Sequence, residues 1–360
     1  MICALSGWSG SAAGRPAVTA MVAGCWLAWV TPLRYALPPA RAASTRLPAA
    51  RWTPPPGGAA SLTRVPVVIA NPIARASMRG VRALEAHGAR DVRWTGERRA
   101  TEHAQDALAE GADAVVVVGG DGTIRDVADV LAGTSVPMGV VPAGTANLFA
   151  RNLDLPLRSA DAAARIALGL DAAALPTDLG RVVLHAEGRD AAAHAFLVVV
   201  GIGHDATAVE AASLARKRRL GWGAYVLSGV RRFAAPLHAV RARLDDEPPM
   251  RTQAWTVLVH NTARITLGLR VVPGTRPDDG LLHLAAVSPR RILHWGRIAA
   301  SGMGLARAEG VLSHRTGHRV RLEADRIPVQ VDGDALGRIV ALEAWIDPGA
   351  LLVRRPGGER

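Results

Sequence analysis

The stretch Ala114-Val115-Val116-Val117-Val118-Gly119-Gly120-Asp121-Gly122-Thr123 decides how this chain is read. Its valine run is short and β-branched, the pattern of a strand buried on both faces and at home in a parallel sheet. The glycines at its carboxyl end let the backbone turn sharply and come close to a ligand. A helical pattern starting near Ile124 offers free N–H groups and a positive dipole end to an anion. Asp121 adds a carboxylate able to hold a metal or to order the loop. The chemical reading is a loop for nucleotide phosphate. It is not a Walker P-loop, because no Gly-Lys-Ser/Thr follows.

Outward from this loop the chain alternates. Val65 to Ala70 reads as a strand ending in the turn signal Asn71-Pro72. Met78 to His87 has helical spacing and stops at Gly88. Asp91 to Thr95 is a second strand, and Thr101 to Glu110 a helix with Thr101 as N-cap. After the loop come a helix over 124–132 and a strand from Met138 to Val141. That strand runs into Pro142-Ala143-Gly144-Thr145, with a further helix from Ala146. Such alternation predicts a parallel sheet with right-handed crossovers and a ligand at the carboxyl ends of the strands. Asn71, Thr95, Gly119–Thr123 and Thr145 all fall there. Beyond Thr177, strand-like runs dominate, at 181–186, 195–201, 238–244, 254–260, 281–287, 319–323, 328–332 and 339–346. Helical stretches over 205–216, 221–233 and 290–300 interrupt them. The expectation is an α/β N-terminal domain over 62–177 and a mostly antiparallel, β-rich, sandwich-like C-terminal domain over 178–355, whose last segment is able to pack back on the first.

A chain of 360 residues is long enough for two such cores. Its hydrophobic share of 49% and charged share of 21% are those of a soluble globular protein. The net charge of +12 favours nucleic acid, an anionic membrane or a phosphate-rich ligand without choosing among them. Cys3 and Cys25 both precede the first strand, which excludes a disulfide framework or a Cys-rich zinc site in the folded part. The histidines are scattered without metal spacing. Ala17 to Leu33 is apolar apart from Thr19 and Thr31, at the short limit for a membrane span. Residues 38–60, rich in Pro, Ala and Gly, read as a linker. Residues 1–61 are accordingly read as a disordered or mis-called extension, with an anchor or a signal-like segment left open.

A second block, Pro142-Ala143-Gly144-Thr145-Ala146-Asn147-Leu148-Phe149-Ala150-Arg151, follows the first by a short interval. Alone it is a strand end, a glycine turn and a helix start, in which Thr145 and Asn147 either bind phosphate or ribose or cap the helix. Together the two blocks resemble the diacylglycerol kinase catalytic-domain family, which includes sphingosine kinases and the bacterial soluble lipid kinases. The first loop is similar in NAD kinases; the Pro-x-Gly-Thr-x-Asn-x-x-Ala-Arg pattern is far more lipid-kinase-like. The resemblance extends through Asn71-Pro72, Arg218-Arg219-Leu220-Gly221, Ala224-Tyr225, Val259-His260-Asn261 and Val272-Pro273. It continues through Pro277-Asp278-Asp279-Gly280-Leu281-Leu282 and closes with Val331-Asp332-Gly333-Asp334. It covers about 65–350 and implies an NAD kinase/diacylglycerol kinase-like fold.

The resemblance implies ATP phosphates lying along Gly119, Gly120, Asp121, Gly122 and Thr123 and the helix start at Ile124 and Arg125. Thr95 and Thr145 would contact nucleotide, with Asn71, Gly144 and Asn147 in the same site. It implies a structural magnesium held by Asp279 and by the backbone carbonyls of Arg276 and Leu281, a set that suits a hard cation; on the residues alone this is an ordinary turn. The family's late Asp-Gly-Glu motif carries the proton acceptor and is here Asp332-Gly333-Asp334, one methylene shorter. Asp334, or Asp332 beside it, is the candidate base, since a carboxylate can take a lipid hydroxyl's proton as the phosphoryl bond forms. Without the resemblance the motif reads as a hairpin turn. Two departures stand out: Leu148 where many members have Asp, and one glycine in Ile265-Thr266-Leu267-Gly268 where several are usual.

The function so implied is an ATP- and Mg²⁺-dependent lipid kinase acting on diacylglycerol or a related lipid. An NAD kinase-like small-molecule kinase and a weakly active or inactive lipid- or nucleotide-binding protein are the alternatives. The expected partners are the lipid substrate and an anionic membrane surface, met by Arg216-Lys217-Arg218-Arg219 and Arg231-Arg232 around Leu220, Trp222, Tyr225 and Leu227. Nucleic acid is not expected, because no aromatic stacking platform or reading motif accompanies the charge. A homodimer is left open. The location implied is cytoplasmic and peripheral to the membrane.

Overall fold

The valine run is the centre of a parallel sheet in the computed structural model of the protein. The structure describes residues 66–210, 235–265, 272, 274–291, 293–295, 297–298 and 310–356. The expectations for 1–61, for the basic cluster over 216–232 and for Thr266-Leu267-Gly268 lie outside them. All described residues belong to one unit, Leu62–Arg360. The first half runs β1 (Val67–Ala70), α1 (Ser77–Ala86), β2 (Asp91–Trp94), α2 (Ala100–Ala109), β3 (Val115–Gly119), α3 (Asp121–Leu131), β4 (Met138–Pro142), α4 (Leu148–Asn152) and α5 (Ala160–Ala167). Its strands pair in parallel in the order β2-β1-β3-β4.

Strands β1, β3 and β4 are buried on both faces, which is why they show runs rather than alternation, while β2 at the edge is only partly buried. Val115 and Val117 pack with Val67, Ile69 and the apolar faces of α2 and α3. Val116 and Val118 pack with Val68, Ala70, Val81 and Leu84 of α1 and Ala163, Ala164 and Ala167 of α5. The chain steps from β1 outward to β2, then returns past β1 to β3. That reversal opens a crevice at the carboxyl ends of β1 and β3, the usual ligand position in such a sheet. The helix expected from Ala146 is only α4. It stops ahead of Leu155-Pro156, since a residue before proline avoids helical backbone. The chain restarts at α5, where the Ser159 hydroxyl accepts from Ala162 N–H at 3.1 Å.

The second half is antiparallel. It comprises β5 (Ala173–His185), β6 (Ala192–Phe196), β7 (Val199–Gly203), β8 (His238–Leu244), β9 (Met250–Ala254), β10 (Thr256–His260), β11 (Leu282–Val287), β12 (Leu312–Gly317), β13 (Arg319–Val331) and β14 (Asp334–Arg355). The ladder runs β12-β11-β10-β7-β13-β14, with β5 and β6 attached to β14, and β8 and β9 to β13. Its inward faces form a second core, including Phe196, Ile202, Leu322 and Leu342. The runs predicted at 319–323 and 328–332 are one strand, broken in register between Glu323 and Ile327. The predicted run 195–201 is two strands, parted at Leu197-Val198. Both of those residues are buried and apolar, so their pattern carries no sign of the break. The last strand, β14, pairs antiparallel with β13 and β5 and, at Val353, parallel with Met138 of β4. One strand thus joins both halves into a continuous sheet.

Candidate active site

Three strand ends meet at the crevice and are laced together by their own backbone. Asn71, after β1, donates its N–H to Val118 O at 2.9 Å, and Thr95, after β2, donates to Ala70 O at 2.9 Å. The Asn71 amide Nδ2 donates to Thr123 Oγ1 at 3.0 Å, while its Oδ1 accepts from Ile73 N–H at 3.0 Å. Asn71 therefore holds its own turn with one end of its amide and the glycine loop, at Thr123, with the other. Ala143 N–H donates to Gly119 O at 2.8 Å, bringing the second block against the first.

The two blocks touch backbone to backbone. A Cβ on Gly144 would stand 2.6 Å from Gly120 Cα, and a Cβ on Gly120 would stand 3.3 Å from Gly144 Cα. Neither partner has a flexible end that could move aside, so these glycines are required by the close approach. Gly144→Ala is expected to lower stability by about 1–3 kcal/mol, the usual cost of overpacking, and to weaken nucleotide binding. Denaturant unfolding and nucleotide titration of the variant check this.

Asn147 has left-handed backbone, with φ of 48°. Its Oδ1 accepts from Gly144 N–H at 2.9 Å and its Nδ2 donates to Gly144 O at 3.0 Å. Its amide thus closes the turn; Asn147 stands at the N-cap position of α4, but its side chain makes no capping hydrogen bond to the helix. Thr145 is exposed at the tip of the same turn, and its hydroxyl has no hydrogen-bond partner among the described residues. Asp121 opens α3, and its Oδ1 accepts from Phe149 N–H at 3.0 Å at the start of α4. Burial pushes its carboxyl up, opposed by N–H groups including those of Phe149 and Leu148. Of the two jobs open to Asp121, ordering the loop is the one its contacts describe. Leu148, where many family members carry Asp, is buried in the core beneath.

The closing motif sits across the crevice. Asp332 and Gly333 both have positive φ, 47° and 89°, and Val331 pairs with Asp334 across them. This is a two-residue hairpin turn of the Asp-Gly type. Asp332 does not face the crevice. Its Oδ2 accepts from Leu197 N–H at 2.7 Å, and its Oδ1 accepts from Val198 and Val199 N–H, each at 2.9 Å. Burial pushes its carboxyl up to about 6, against those N–H donors and the Arg125 charge, which favour the ionised form. With its lone pairs spent on the β6–β7 turn, Asp332 is corrected from a candidate base to an anchor. It is also what parts the two strands at Leu197-Val198.

Asp334 does face the glycine loop. Its Oδ2 accepts from Arg125 Nη2 at 2.8 Å, and Arg125 Nη1 donates to Val331 O at 3.1 Å. The same Oδ2 lies 3.9 Å from where a Cβ on Gly122 would stand. The other oxygen, Oδ1, has no hydrogen-bond partner among the described residues. Arg125 thus ties α3 to the hairpin and holds the Asp334 carboxylate beside the loop, leaving Oδ1 available.

The turn expected to hold a structural magnesium has a donor set of the wrong polarity. Asp279 Oδ2 accepts from Arg276 N–H at 3.0 Å and from His283 Nε2 at 3.0 Å, and Oδ1 accepts from Leu281 N–H at 3.0 Å. Arg276 and Leu281 present N–H groups to the two carboxylate oxygens, the atoms a hard cation would need as ligands. Burial acts to raise the Asp279 carboxyl, but these partners outweigh it and hold it below its ordinary value. The residues present do not fit the ion. Asp278 is paired to Arg276 and Arg355.

Two features of this region escaped the sequence reading. Asp178 accepts from Gly280 and Gly349 N–H, each at 2.7 Å, and so pins the turn to β5 and β14. A lone acid at the edge of an apolar run was its only signal. His260, His283 and His314 stack in series at centroid spacings of 5.3 Å. They lie on β10, β11 and β12, far apart in sequence, and only strand pairing assembles them.

Residues 68–182 match the model of the diacylglycerol kinase catalytic domain, and residues 198–355 that of the YegS C-terminal NAD kinase beta sandwich-like domain. A probable lipid kinase YegS-like from Pseudomonas aeruginosa is 34% identical over 262 residues, covering 71% of this chain and 80% of the relative. A diacylglycerol kinase from Mycobacterium tuberculosis is 31% identical over 290 residues, covering 79% and 88%. The crystal structure of a putative diacylglycerol kinase from Bacillus anthracis superposes with a TM-score of 0.62 at 19% identity, over 82% of this chain and 97% of that one, a likeness of fold.

Proposed function

Because the chain belongs to the diacylglycerol kinase catalytic-domain family, we propose that it is an ATP- and Mg²⁺-dependent lipid kinase acting on the hydroxyl of diacylglycerol or a related lipid. The observation that carries this reading is the Asp334 carboxylate, held through Oδ2 by Arg125 beside Gly122, with Oδ1 unpaired among the described residues. ATP lies with its phosphates on the Gly119–Thr123 backbone and the start of α3, where N–H groups and the helix dipole meet negative charge. Mg²⁺ accompanying the nucleotide neutralises phosphate charge. The lipid hydroxyl oxygen forms the new bond to the γ-phosphorus as the bond to the ADP oxygen breaks, and its proton passes to Asp334. Thr95 and Thr145 border the nucleotide, while Asn71, Asp121 and Asn147 hold the loops in place.

Purified protein incubated with labelled ATP and mixed lipids is expected to put label into the lipid extract. Label in NAD instead would overturn the reading in favour of a small-molecule kinase. Transfer to neither acceptor would identify a binding protein.

The membrane contact is also a proposal. Among the described residues, no helix is long and apolar enough to cross a membrane. A cleft of about 800 Å³ is lined by Arg241, Arg251 and Arg290 together with Val311 and Leu312. Arg241 and Arg251 are directly opposite each other on β8 and β9. Glu323, 3.9 Å from Arg241, is the one acidic residue among the described residues lining the cleft. Like charges in register cost stability, and an anionic headgroup offsets that cost. Co-sedimentation with anionic vesicles is expected, weaker with added salt and much weaker for Arg251→Glu. Equal binding of wild type and variant would move the contact elsewhere.

A further inference from the structure

We infer that the Arg276–Leu281 turn is closed by His283 in place of a metal ion, so that this chain folds and holds the turn independently of divalent cations. A cation site needs converging lone pairs. Around Asp279 the converging atoms are instead N–H donors: Arg276 N, Leu281 N and His283 Nε2. Admitting a cation would require the carboxylate to give up these donors.

His283 is built into this position. Its ring is buried, and a buried imidazole is costly unless both nitrogens are satisfied. Nε2 donates to Asp279, while Nδ1 meets His314 Nε2 at 3.1 Å and Thr275 Oγ1 at 3.3 Å. The rings of His260 and His314 pack on its two faces. The imidazole therefore cannot turn away to vacate the carboxylate without losing contacts on every side.

The rest of the clamp is also supplied by the protein. Arg355 Nη2 donates to Asp278 Oδ2 at 2.6 Å, joining the turn to the end of β14. Asp178 receives Gly280 N–H and Gly349 N–H. Asp278 is matched by two guanidiniums, and Asp178 and Asp279 by N–H donors of this chain, so the carboxylates of the region are already hydrogen-bonded without a cation.

The test uses the full chain without nucleotide or lipid, so its outcome does not depend on the kinase reading. Thermal unfolding of the wild type is expected at the same midpoint in millimolar Mg²⁺, in Ca²⁺ and in EDTA. His283→Asp, which removes the donor and adds lone pairs beside Asp279, is expected to gain a cation-dependent rise of several degrees and a Mn²⁺ site detectable by electron paramagnetic resonance. A wild-type midpoint that falls on chelation, with the fall abolished in Asp279→Asn, overturns the inference. Should His283→Asp fail to fold, the wild-type comparison decides alone.

Discussion

Asp332→Ala is expected to lose about 3–5 kcal/mol of stability, the cost of removing one partner from a buried charged network. The side chain is the acceptor for the N–H groups of Leu197, Val198 and Val199, which lie in the interior and face no other carboxylate. Alanine would leave those donors unpaired and would place an ordinary side chain in left-handed backbone. Asp332→Asn tolerates the backbone and keeps an oxygen for Val198 and Val199, but its Nδ2 would oppose the Leu197 N–H, so an intermediate loss is expected. The pH dependence has a definite sign. The folded carboxyl is raised to about 6 by burial, above its ordinary value near 4. Its contribution is therefore fully present below about pH 4 and is lost as pH rises through 6, amounting to about 3 kcal/mol. Urea unfolding across pH 3.5–7.5 checks this; the decline attributable to Asp332 is the part absent from Asp332→Asn. Parallel curves for the two proteins would show that the group titrates alike in both states.

Asp334→Asn is expected to lower kcat by roughly 10²–10⁴-fold, the usual contribution of a positioned general base. Its KM for ATP should change little, because the nucleotide rests on backbone of the glycine loop. Its unfolding midpoint should also change little, since the Asp334 side chain is 55% exposed and its ion pair with Arg125 is at the rim. That split separates a proton acceptor from a structural residue, and Asp332 should show the opposite pattern. Asp334→Glu restores the longer acid of the family motif and is expected to remain active. An Asn variant as fast as wild type would remove Asp334 from the reaction.

The nucleotide half was legible because its signals are local. A valine run ending in glycines states strand, burial and turn within ten residues; β3 falls within one residue of where that run places it, while α3 begins at Asp121, three residues ahead of the expected start. The same holds for β8, whose alternating HAVRARL has one face in the core. What was not legible depends on partners remote in sequence. Nothing within Leu197-Val198 foretells a break, because the carboxylate that causes it belongs to Asp332. Asp332 and Asp334 look alike in the motif, and only the third dimension turns one inward and the other toward the loop. On its residues alone the Asp279 turn read as an ordinary turn and only the family resemblance gave it a cation; which N–H groups meet its carboxylate depends on backbone direction, which composition does not carry. The histidine stack needed three strands in register before it existed at all.

The position of β14 has a consequence for synthesis. This strand covers the edge of β4 through Val353 and Met138, pairs along β13 and β5, and sets Asp334 over the glycine loop. A growing chain can form β1 to β4 early, since those contacts are near in sequence. It cannot close the β4 edge until β14 leaves the ribosome. Until then the nascent protein carries an open strand edge and half of its crevice, the state in which unpaired edges invite association with other chains. Emergence of β14 is thus the event that both seals the sheet and assembles the site.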